Sequence, residues 1–254
     1  MRAFRKLAAE PDPSGVRLLL DGVHQVRDAH AAGVALDVVA VAASRLARDT
    51  EEADVARAVE RSGTQLLSVS DQVMAAISPV RAPSGISALA SRAPTNAAAV
   101  CDRDNGFVLV AADVQDPGNL GSLIRAAEAG GLTGALVCGA SANPFAWKVL
   151  RGSMGSALRL PIAHQLTVPD ALDCALRAGM RTIAAVPRDG RTPDAADWSG
   201  RMALLLGGEG PGLDACLVAQ CHERVTIPMA PPVESLNVAV AGAILFYAAR
   251  RQRP

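Results

Sequence analysis

The chain has 254 residues, enough to bury a sizeable core in one domain or two. Half of the residues are hydrophobic, which favours a globular fold, and because only 3% are aromatic, stacking of RNA bases on aromatic platforms is disfavoured. Basic and acidic residues are balanced at 25 each, which argues against broad nonspecific affinity for nucleic acid but leaves room for a local basic face.

The sequence carries no pattern of a targeting or membrane segment. No stretch approaches the roughly 18 apolar residues of a membrane span, and "MRAFRKLAAEPDPSG" lacks the apolar core of a signal peptide. We therefore expect a cytoplasmic protein with no membrane partner. Five irregularly spaced cysteines fit reduced thiols, and "CLVAQCH" matches no standard zinc pattern, so we predict no metal site.

The first part of the chain predicts a small alternating α/β unit. Strands are predicted in "VRLLL", "LDVVAVAA", "TQLLSVS" and "GISALA", with helices in "GVHQVRDAHAAG", "TEEADVARAVERSG" and "DQVMAAIS". Prolines and glycines then interrupt any regular element. We place a domain boundary near residues 92–99, which gives an N-terminal domain of residues 1–96 and a C-terminal domain of residues 97–254.

The second part predicts a parallel sheet with helices on both faces. Its candidate strands are continuous apolar runs: "FVLVAA", "GALVCG", "LPIAH", "RTIAAV", "MALLLGG" and "RVTIPM". Parallel sheets of this kind bind ligands in the loops beyond the carboxyl ends of their strands. The informative loops should therefore follow "FVLVAA", "MALLLGG" and "RVTIPM".

The first of these loops opens a helix in "DVQDPGNLGSLIRAAEAGG". Pro117 and Gly118 favour a turn, and Asn119 is well placed to cap the helix. Arg125 lies further along, three residues before Glu128. Two interpretations stay open: an ordinary surface pair of Arg125 and Glu128, or a phosphate-binding helix start.

The second loop, "LLLGGEGPGLD", has glycine at four of the six positions from 207 to 212. Such density lets the backbone turn sharply and approach a ligand closely. The loop lacks the GK[ST] ending of a phosphate loop and is not GxGxxG, which disfavours a nucleotide triphosphatase or a dinucleotide enzyme. Glu209 is either an ordinary exposed residue or an acceptor for a polar ligand.

The third loop leads into the last helix in "IPMAPPVESLNVAVAGAILFYAAR". Its three prolines restrict the backbone to extended conformations. Ser235 and Asn237 favour capping of the helix, or they belong to a binding site. The helix is apolar as far as Tyr247, so we expect it to be buried against the sheet or against another subunit.

Together, and in this order, the three loops resemble the SpoU branch of the SPOUT methyltransferases, also called the TrmH family. These enzymes transfer a methyl group from S-adenosylmethionine to a ribose 2′-hydroxyl of ribosomal or transfer RNA. The resemblance covers residues 106 to 251, including "KVLRGSMGSALRLPI". It implies an α/β domain with a deep trefoil knot and a homodimer formed through the knotted region and the final helix. More loosely, the N-terminal part resembles the family's small α/β domain for structured RNA.

The resemblance also implies roles for individual residues. It assigns S-adenosylmethionine contacts to Gly207, Ile227, Met229, Leu236 and Asn237, and a catalytic set to Arg125, Asn119, Glu209, Ser235 and Asn237. Relatives often carry a polar residue where this chain has Gly208. The family proposal makes the arginine a general base, but a guanidinium stays protonated at neutral pH, so stabilisation of a phosphate and a developing alkoxide is the safer role.

A noncatalytic RNA-binding protein that keeps the knotted scaffold is the alternative. The intact polar set at Arg125, Asn119, Ser235 and Asn237 speaks against it. An ordinary nucleotide-binding α/β enzyme is a third possibility, but the chain lacks the motif of that class.

Overall fold

The computed structural model describes residues 1–210 and 212–253. Two compact units make up the chain. The first unit comprises Met1–Pro94 and Phe145–Arg159, and the second comprises Thr95–Pro144 and Leu160–Pro254. Among the described residues, no helix combines the length and the apolar character that crossing a bilayer requires.

The first unit is a four-stranded mixed sheet with helices around it. Its elements are α1 (Arg2–Ala9), β1 (Arg17–Asp21), α2 (Val23–Ala31), β2 (Ala35–Ala42), α3 (Ala43–Leu46), α4 (Glu51–Arg61), β3 (Gln65–Val69), α5 (Asp71–Ile77), β4 (Ile86–Ser91), α8 (Trp147–Ser153) and α9 (Ser156–Arg159). The strand order is β1-β4-β2-β3, in which β4 runs antiparallel to β1 and β2 while β3 runs parallel to β2.

The segment Phe145–Arg159 belongs to the first unit, although the sequence prediction placed it in the C-terminal domain. The Trp147 side-chain N–H donates to the Ala8 carbonyl at 3.1 Å, and the Arg92 guanidinium lies 3.9 Å from the centre of the Phe145 ring. Trp147 also packs against the apolar core that contains Phe4. These contacts join residues far apart in sequence, which explains why a boundary drawn from local composition misses them.

The second unit contains the remaining elements. They are α6 (Ala97–Cys101), β5 (Phe107–Ala112), α7 (Pro117–Ala129), β6 (Gly134–Cys138), β7 (Ile162–Leu166), α10 (Val168–Arg177), β8 (Arg181–Ala185), β9 (Met202–Gly207), α11 (Ala215–Ala219), β10 (Glu223–Val225) and α12 (Val238–Gln252). All five neighbouring strand pairs are parallel, in the order β10-β8-β9-β5-β6-β7. The predicted α/β fold with a parallel sheet is confirmed.

The register of the two central strands brings the first two predicted loops together. Ala112 at the end of β5 is paired with Gly207 at the end of β9. Both strands are buried almost throughout, as expected for continuous apolar runs covered on both faces. The loop that opens α7 and the glycine loop therefore leave the same edge of the sheet side by side.

Strand β10 is shorter than the run "RVTIPM" predicts, because the chain leaves the sheet after Val225. The Thr226 amide donates to the Arg191 carbonyl at 2.8 Å instead of continuing along β8. Pro228 follows two residues later and has no amide hydrogen to donate to a ladder. The loop before α12 therefore begins at Thr226, directly after the short strand β10.

Helix α12 is buried on one side only, within the single chain. Leu245, Phe246 and Ala249 are buried. Val240, Ile244 and Tyr247, by contrast, are 49%, 40% and 51% exposed. Their spacing puts all three on one stripe of the helix. The predicted burial of this apolar helix therefore holds for one face, and the other forms an exposed apolar stripe of Val240, Ile244 and Tyr247.

Candidate functional site

Two of the three loops singled out from the sequence, the glycine loop and the loop before α12, line one cavity in the second unit, at the carboxyl ends of β8, β9 and β10. Its volume is about 430 Å³, within the range of small-molecule sites. Its walls include the residues expected to contact a cofactor, together with two polar residues of the predicted catalytic set: Gly207, Ile227, Met229, Leu236 and Asn237, with Glu209 and Ser235.

One wall of the cavity was missed by the sequence prediction. Ala185, Val186 and Pro187 line it where β8 ends, and Leu213, Ala241 and Leu245 add further apolar surface. The signal was present in "RTIAAVP", an apolar strand stopped by a proline. Because the carboxyl ends of parallel strands meet at one edge of the sheet, the loop after β8 should have been included among the candidate binding loops.

A chain of side-chain hydrogen bonds joins the three loops. The Asn119 Nδ2 group donates to Glu209 Oε1 at 2.5 Å, and the Asn237 Nδ2 group donates to Asn119 Oδ1 at 2.8 Å. Glu209 Oε2 also accepts from the Gln115 amide at 3.3 Å. Each loop thereby fixes the orientation of a polar group on another loop, and Asn119 occupies the centre although it does not line the cavity.

Helix α7 is capped by Asp116, not by Asn119 as the sequence prediction proposed. The Asp116 Oδ1 atom accepts from the Asn119 amide at 2.8 Å, and Pro117 opens the helix. Proline is well tolerated at this first position because the amide there has no helical partner. Asn119 sits in the first turn, so its side chain is released from capping and reaches Glu209 and Asn237.

The hydrogen bonds around Glu209 stabilise its ionised form. Partial burial acts to raise the pKa of Glu209, but hydrogen bonds from the Asn119 side chain and from the amides of Glu209 and Gln115 outweigh it. The pKa therefore lies below its ordinary value. The glycine loop consequently presents a carboxylate, and Asn119 is held with its amide nitrogen toward that charge.

Asn237 caps α12 and takes part in the site at the same time. Its Oδ1 atom accepts from the amides of Ala239 and Val240 at 2.9 and 3.3 Å, while its Nδ2 group reaches Asn119. The capping interpretation is therefore confirmed, and Asn237 also lines the cavity. Ser235 does not cap the helix; it lies two residues earlier and lines the cavity.

Gly208 lies where the two central loops touch. Its amide donates to the Ala112 carbonyl at 2.7 Å. A Cβ atom at Gly208 would lie 1.8 Å from the Asp113 carbonyl oxygen. No side chain fits at that distance without movement of the backbone, so this departure from the family pattern matches the close packing of the loops.

Arg125 lies on an exposed part of α7 and does not line the cavity. No ion pair joins its guanidinium to another described residue, so the surface pair with Glu128 is not formed. Arg125 is an exposed cation on the helix that carries Asn119. Such a group suits an anionic ligand that approaches from solvent.

The cavity suits an amphipathic small molecule. Leu206, Ile227 and Leu236 offer apolar surface, while Glu209, Ser235 and backbone groups of the glycine loop provide polar contacts. S-adenosylmethionine has both characters, with a flat base, a ribose and a charged amino-acid end. The residues present therefore fit the cofactor that the resemblance implies.

Comparison with known proteins agrees with this geometry. The profile of the SpoU rRNA Methylase family matches residues 106–247, which include all three loops and most of α12. A crystal structure of an AdoMet-bound rRNA methyltransferase from Sinorhizobium meliloti superimposes with a TM-score of 0.86 at 25% identity. That comparison covers 100% of this chain and 94% of the other.

Two curated relatives extend the comparison. A 23S rRNA (guanosine(2553)-2′-O)-methyltransferase of Bacillus subtilis, RlmP, is 30% identical over 90% of this chain and 86% of its own length. An uncharacterized tRNA/rRNA methyltransferase of Synechocystis is 40% identical over 57% of this chain and 53% of its own length. The match thus spans about half the length of the Synechocystis relative and most of RlmP.

Proposed function

Because the chain belongs to the SpoU rRNA methylase family, we propose that it transfers a methyl group from S-adenosylmethionine to a ribose 2′-hydroxyl of ribosomal or transfer RNA. The observation that carries this proposal is that two of the family loops line one cavity, and that Asn119 of the third is hydrogen-bonded to Glu209 and Asn237 of those two loops. Methylation of ribosomal or transfer RNA is consistent with a cytoplasmic location, which belongs to the same proposal.

The cofactor is assigned to the cavity of the second unit. Backbone groups of Gly207, Ile227 and Leu236 would hold it, with Met229 and Asn237 beside them. The sulfonium of S-adenosylmethionine supplies an electrophilic methyl group. The apolar walls would limit access of water to a cofactor bound there, which favours a displacement in which opposite charges are consumed.

The remaining polar residues are assigned to the RNA. Arg125 is exposed and cationic, so it holds a phosphate next to the target ribose and stabilises negative charge on the attacking oxygen. Glu209 and Asn237 hold Asn119 in one orientation, and Ser235 completes the polar wall. The charge on Arg125 and the fixed amide of Asn119 are the contributions that this chain makes on the substrate side.

RNA recognition is assigned to the first unit and methyl transfer to the second. The first unit contains 14 arginines and lysines against 11 acidic residues, whereas the chain as a whole is neutral. A positive excess favours the phosphate backbone. Lys148, Arg151 and Arg159 of the segment Phe145–Arg159 contribute to that excess.

A homodimer is part of the same proposal. The exposed apolar stripe of Val240, Ile244 and Tyr247 lies on the helix whose first turn is capped by the site residue Asn237. Covering three half-exposed apolar side chains would be favourable at roughly 25 cal/mol per Å² of buried apolar area. A second copy of α12 is an occupant of matching character, and such contact would also steady the Asn237 cap.

Methyl transfer to RNA from a strain that lacks the gene tests the proposal. The purified full chain is incubated with that RNA and with tritium-labelled S-adenosylmethionine, and the product is hydrolysed in alkali. A ribose 2′-O-methyl group blocks cleavage of its own linkage, so we expect label in alkali-stable dinucleotides. Label in mononucleotides would place the methyl group on a base and contradict the proposal. Cofactor binding without any labelled RNA would favour the noncatalytic alternative.

A further inference from the structure

A second cleft lies wholly within the first unit. It is formed by the end of β1, the start of α2, the loop before β4 and the end of α8, and its volume is about 360 Å³. Residues from both parts of the first unit line it, including Asp21, Ser84, Arg151 and Met154. Nothing in the methyl-transfer chemistry described above uses these residues.

Two buried polar atoms of cleft residues lack partners. Asp21 is only 9% exposed, yet its Oδ1 atom accepts no hydrogen bond from the described residues, and Ser84 Oγ is likewise unpartnered. Most buried polar atoms in proteins are hydrogen-bonded, and an unsatisfied one costs about 1–3 kcal/mol. A cost of this size at two residues of one cleft points to a ligand that supplies the missing hydrogen bonds.

The environment of Asp21 indicates what such a ligand offers. Burial raises the pKa of Asp21, although the nearby hydroxyls of Ser78 and Ser87 and the charge of Arg151 act in the opposite direction. A carboxylate oxygen accepts hydrogen bonds, so the ligand must donate through an N–H or O–H group.

The rest of the cleft suits a flat group joined to an anion. Met154 is 46% exposed and, with Val80, gives the cleft an apolar surface. Helix α2 starts after Gly22 with no side-chain cap, so the amides of its first turn, at residues that line the cleft, donate no hydrogen bond to a capping side chain. Those amides and the exposed Arg151 guanidinium favour an anion.

We propose that this cleft binds one unpaired RNA nucleotide, with an N–H group of its base donating to Asp21 and its phosphate held by Arg151 and the first turn of α2. The inference rests on the proposed action on RNA and names the part of the substrate that the first unit reads. Unpaired bases are the usual targets of sequence-specific RNA readers, because their hydrogen-bonding edges are free. Met154 and Val80 take the place of phenylalanine, tyrosine or tryptophan side chains, none of which lines this cleft among the described residues.

Binding of nucleotides is tested on the full chain by amide NMR with AMP, GMP, CMP and UMP as separate probes. We expect at least one of the four to shift the amide signals of residues 22–25 and 84. A fluorescent single-stranded RNA of mixed sequence should bind more tightly than the same sequence in a duplex. Absence of shifts at these amides with all four nucleotides would overturn the proposal.

Asp21→Asn is the matched variant, because it keeps the size of the side chain and replaces one acceptor oxygen with a donor nitrogen. We expect about a tenfold loss of affinity for the single-stranded RNA, in line with a lost hydrogen bond to a charged group. Since burial raises the pKa of Asp21, the neutral side chain should leave the melting temperature at or above that of the wild type. Asp49→Asn, on a side chain that is 99% exposed outside the cleft, is the control.

Arg151→Ala provides a second variant on an exposed residue, with Arg61→Ala outside the cleft as its control. Equal affinities for Asp21→Asn and Asp49→Asn, or for Arg151→Ala and Arg61→Ala, would overturn the proposal. Failure of the proposed function looks different. It would appear as nucleotide binding in this cleft without methyl transfer by the wild type. If instead only the cleft proposal is wrong, Asp21→Asn should keep the wild-type affinity for RNA, methyl transfer and S-adenosylmethionine binding.

Discussion

The Asn237 side chain donates a hydrogen bond to the Asn119 side chain at 2.8 Å, across 118 positions of the sequence. The Asn119 Nδ2 group in turn donates a hydrogen bond to the Glu209 carboxylate. The loops after β5 and β9 and the loop before α12 are therefore connected through three side chains. In the proposed enzyme this connection holds the cofactor loops and the helix of Arg125 in one arrangement.

Replacement of Asn237 by serine should separate its two roles. Serine caps helices about as well as asparagine, but its shorter side chain does not reach Asn119. We therefore expect Asn237→Ser to keep its stability to urea within a few tenths of a kcal/mol while kcat for methyl transfer falls at least tenfold. Asn237→Ala should lose the cap as well, at about 1 kcal/mol. Equal kcat in Asn237→Ser and the wild type would show that the link to Asn119 is not needed.

Glu209 should make stability depend on pH in a defined direction. Its pKa is lowered in the folded chain, so its contribution is complete above the ordinary glutamate pKa and disappears as the pH falls through the lower, folded value. Urea unfolding at several pH values should give a larger free energy of unfolding for the wild type than for Glu209→Gln at pH 7. The difference should begin to shrink near the ordinary glutamate pKa of about 4.3 and vanish only below the lower pKa of the folded chain. A difference that grows as the pH falls would contradict this assignment.

Gly208→Ala should disrupt the contact between the two central loops. The added Cβ would meet the Asp113 carbonyl at 1.8 Å, so the backbone must move. We expect a loss of ~2 kcal/mol or more in urea unfolding and loss of S-adenosylmethionine binding by calorimetry. Gly200→Ala is the control, because Gly200 has a φ of 72° with open space around it and does not line the cavity. It should cost roughly 1–2 kcal/mol and leave binding intact.

Ile244→Glu should produce a monomer. A charge in the middle of the exposed apolar stripe of Val240, Ile244 and Tyr247 would have to be buried without a partner in a dimer formed through α12. Sedimentation velocity should give a dimer for the wild type and a monomer for the variant. Leu176→Glu, on an exposed leucine of α10, should remain dimeric. A stable, active wild-type monomer would remove the homodimer from the proposal.

Much of the second unit could be predicted because its strands are continuous apolar runs, a pattern that parallel sheets produce directly. The exceptions have local causes. Strand β10 stops at Val225, where the chain turns to pair with Arg191. Helix α12 reads as uniformly apolar, but sequence alone cannot say which of its faces another chain would cover. The trefoil knot implied by the family resemblance stays a prediction.

The candidate site was predictable as a set of loops and not as a set of contacts. Asn119 and Asp116 are both good capping residues, and only the structure shows that Asp116 caps α7 while Asn119 bonds across to Glu209. Bonds between residues 90 or more positions apart leave no local signal. The association of Trp147 with the first unit and the role of the loop after β8 also depend on contacts between residues far apart in sequence, so the sequence did not predict them.

The most direct measurement of the central claim is a map of ribose 2′-O-methylation across the RNA of a strain that lacks the gene and of its parent. We predict that at least one ribosomal or transfer RNA nucleotide loses its methyl group in the deletion strain. The wild-type gene should restore it, whereas Arg125→Ala should not, even though the purified variant still binds S-adenosylmethionine. Identical maps in deletion strain and parent, or full restoration by Arg125→Ala, would contradict the proposed function or the role of Arg125, respectively.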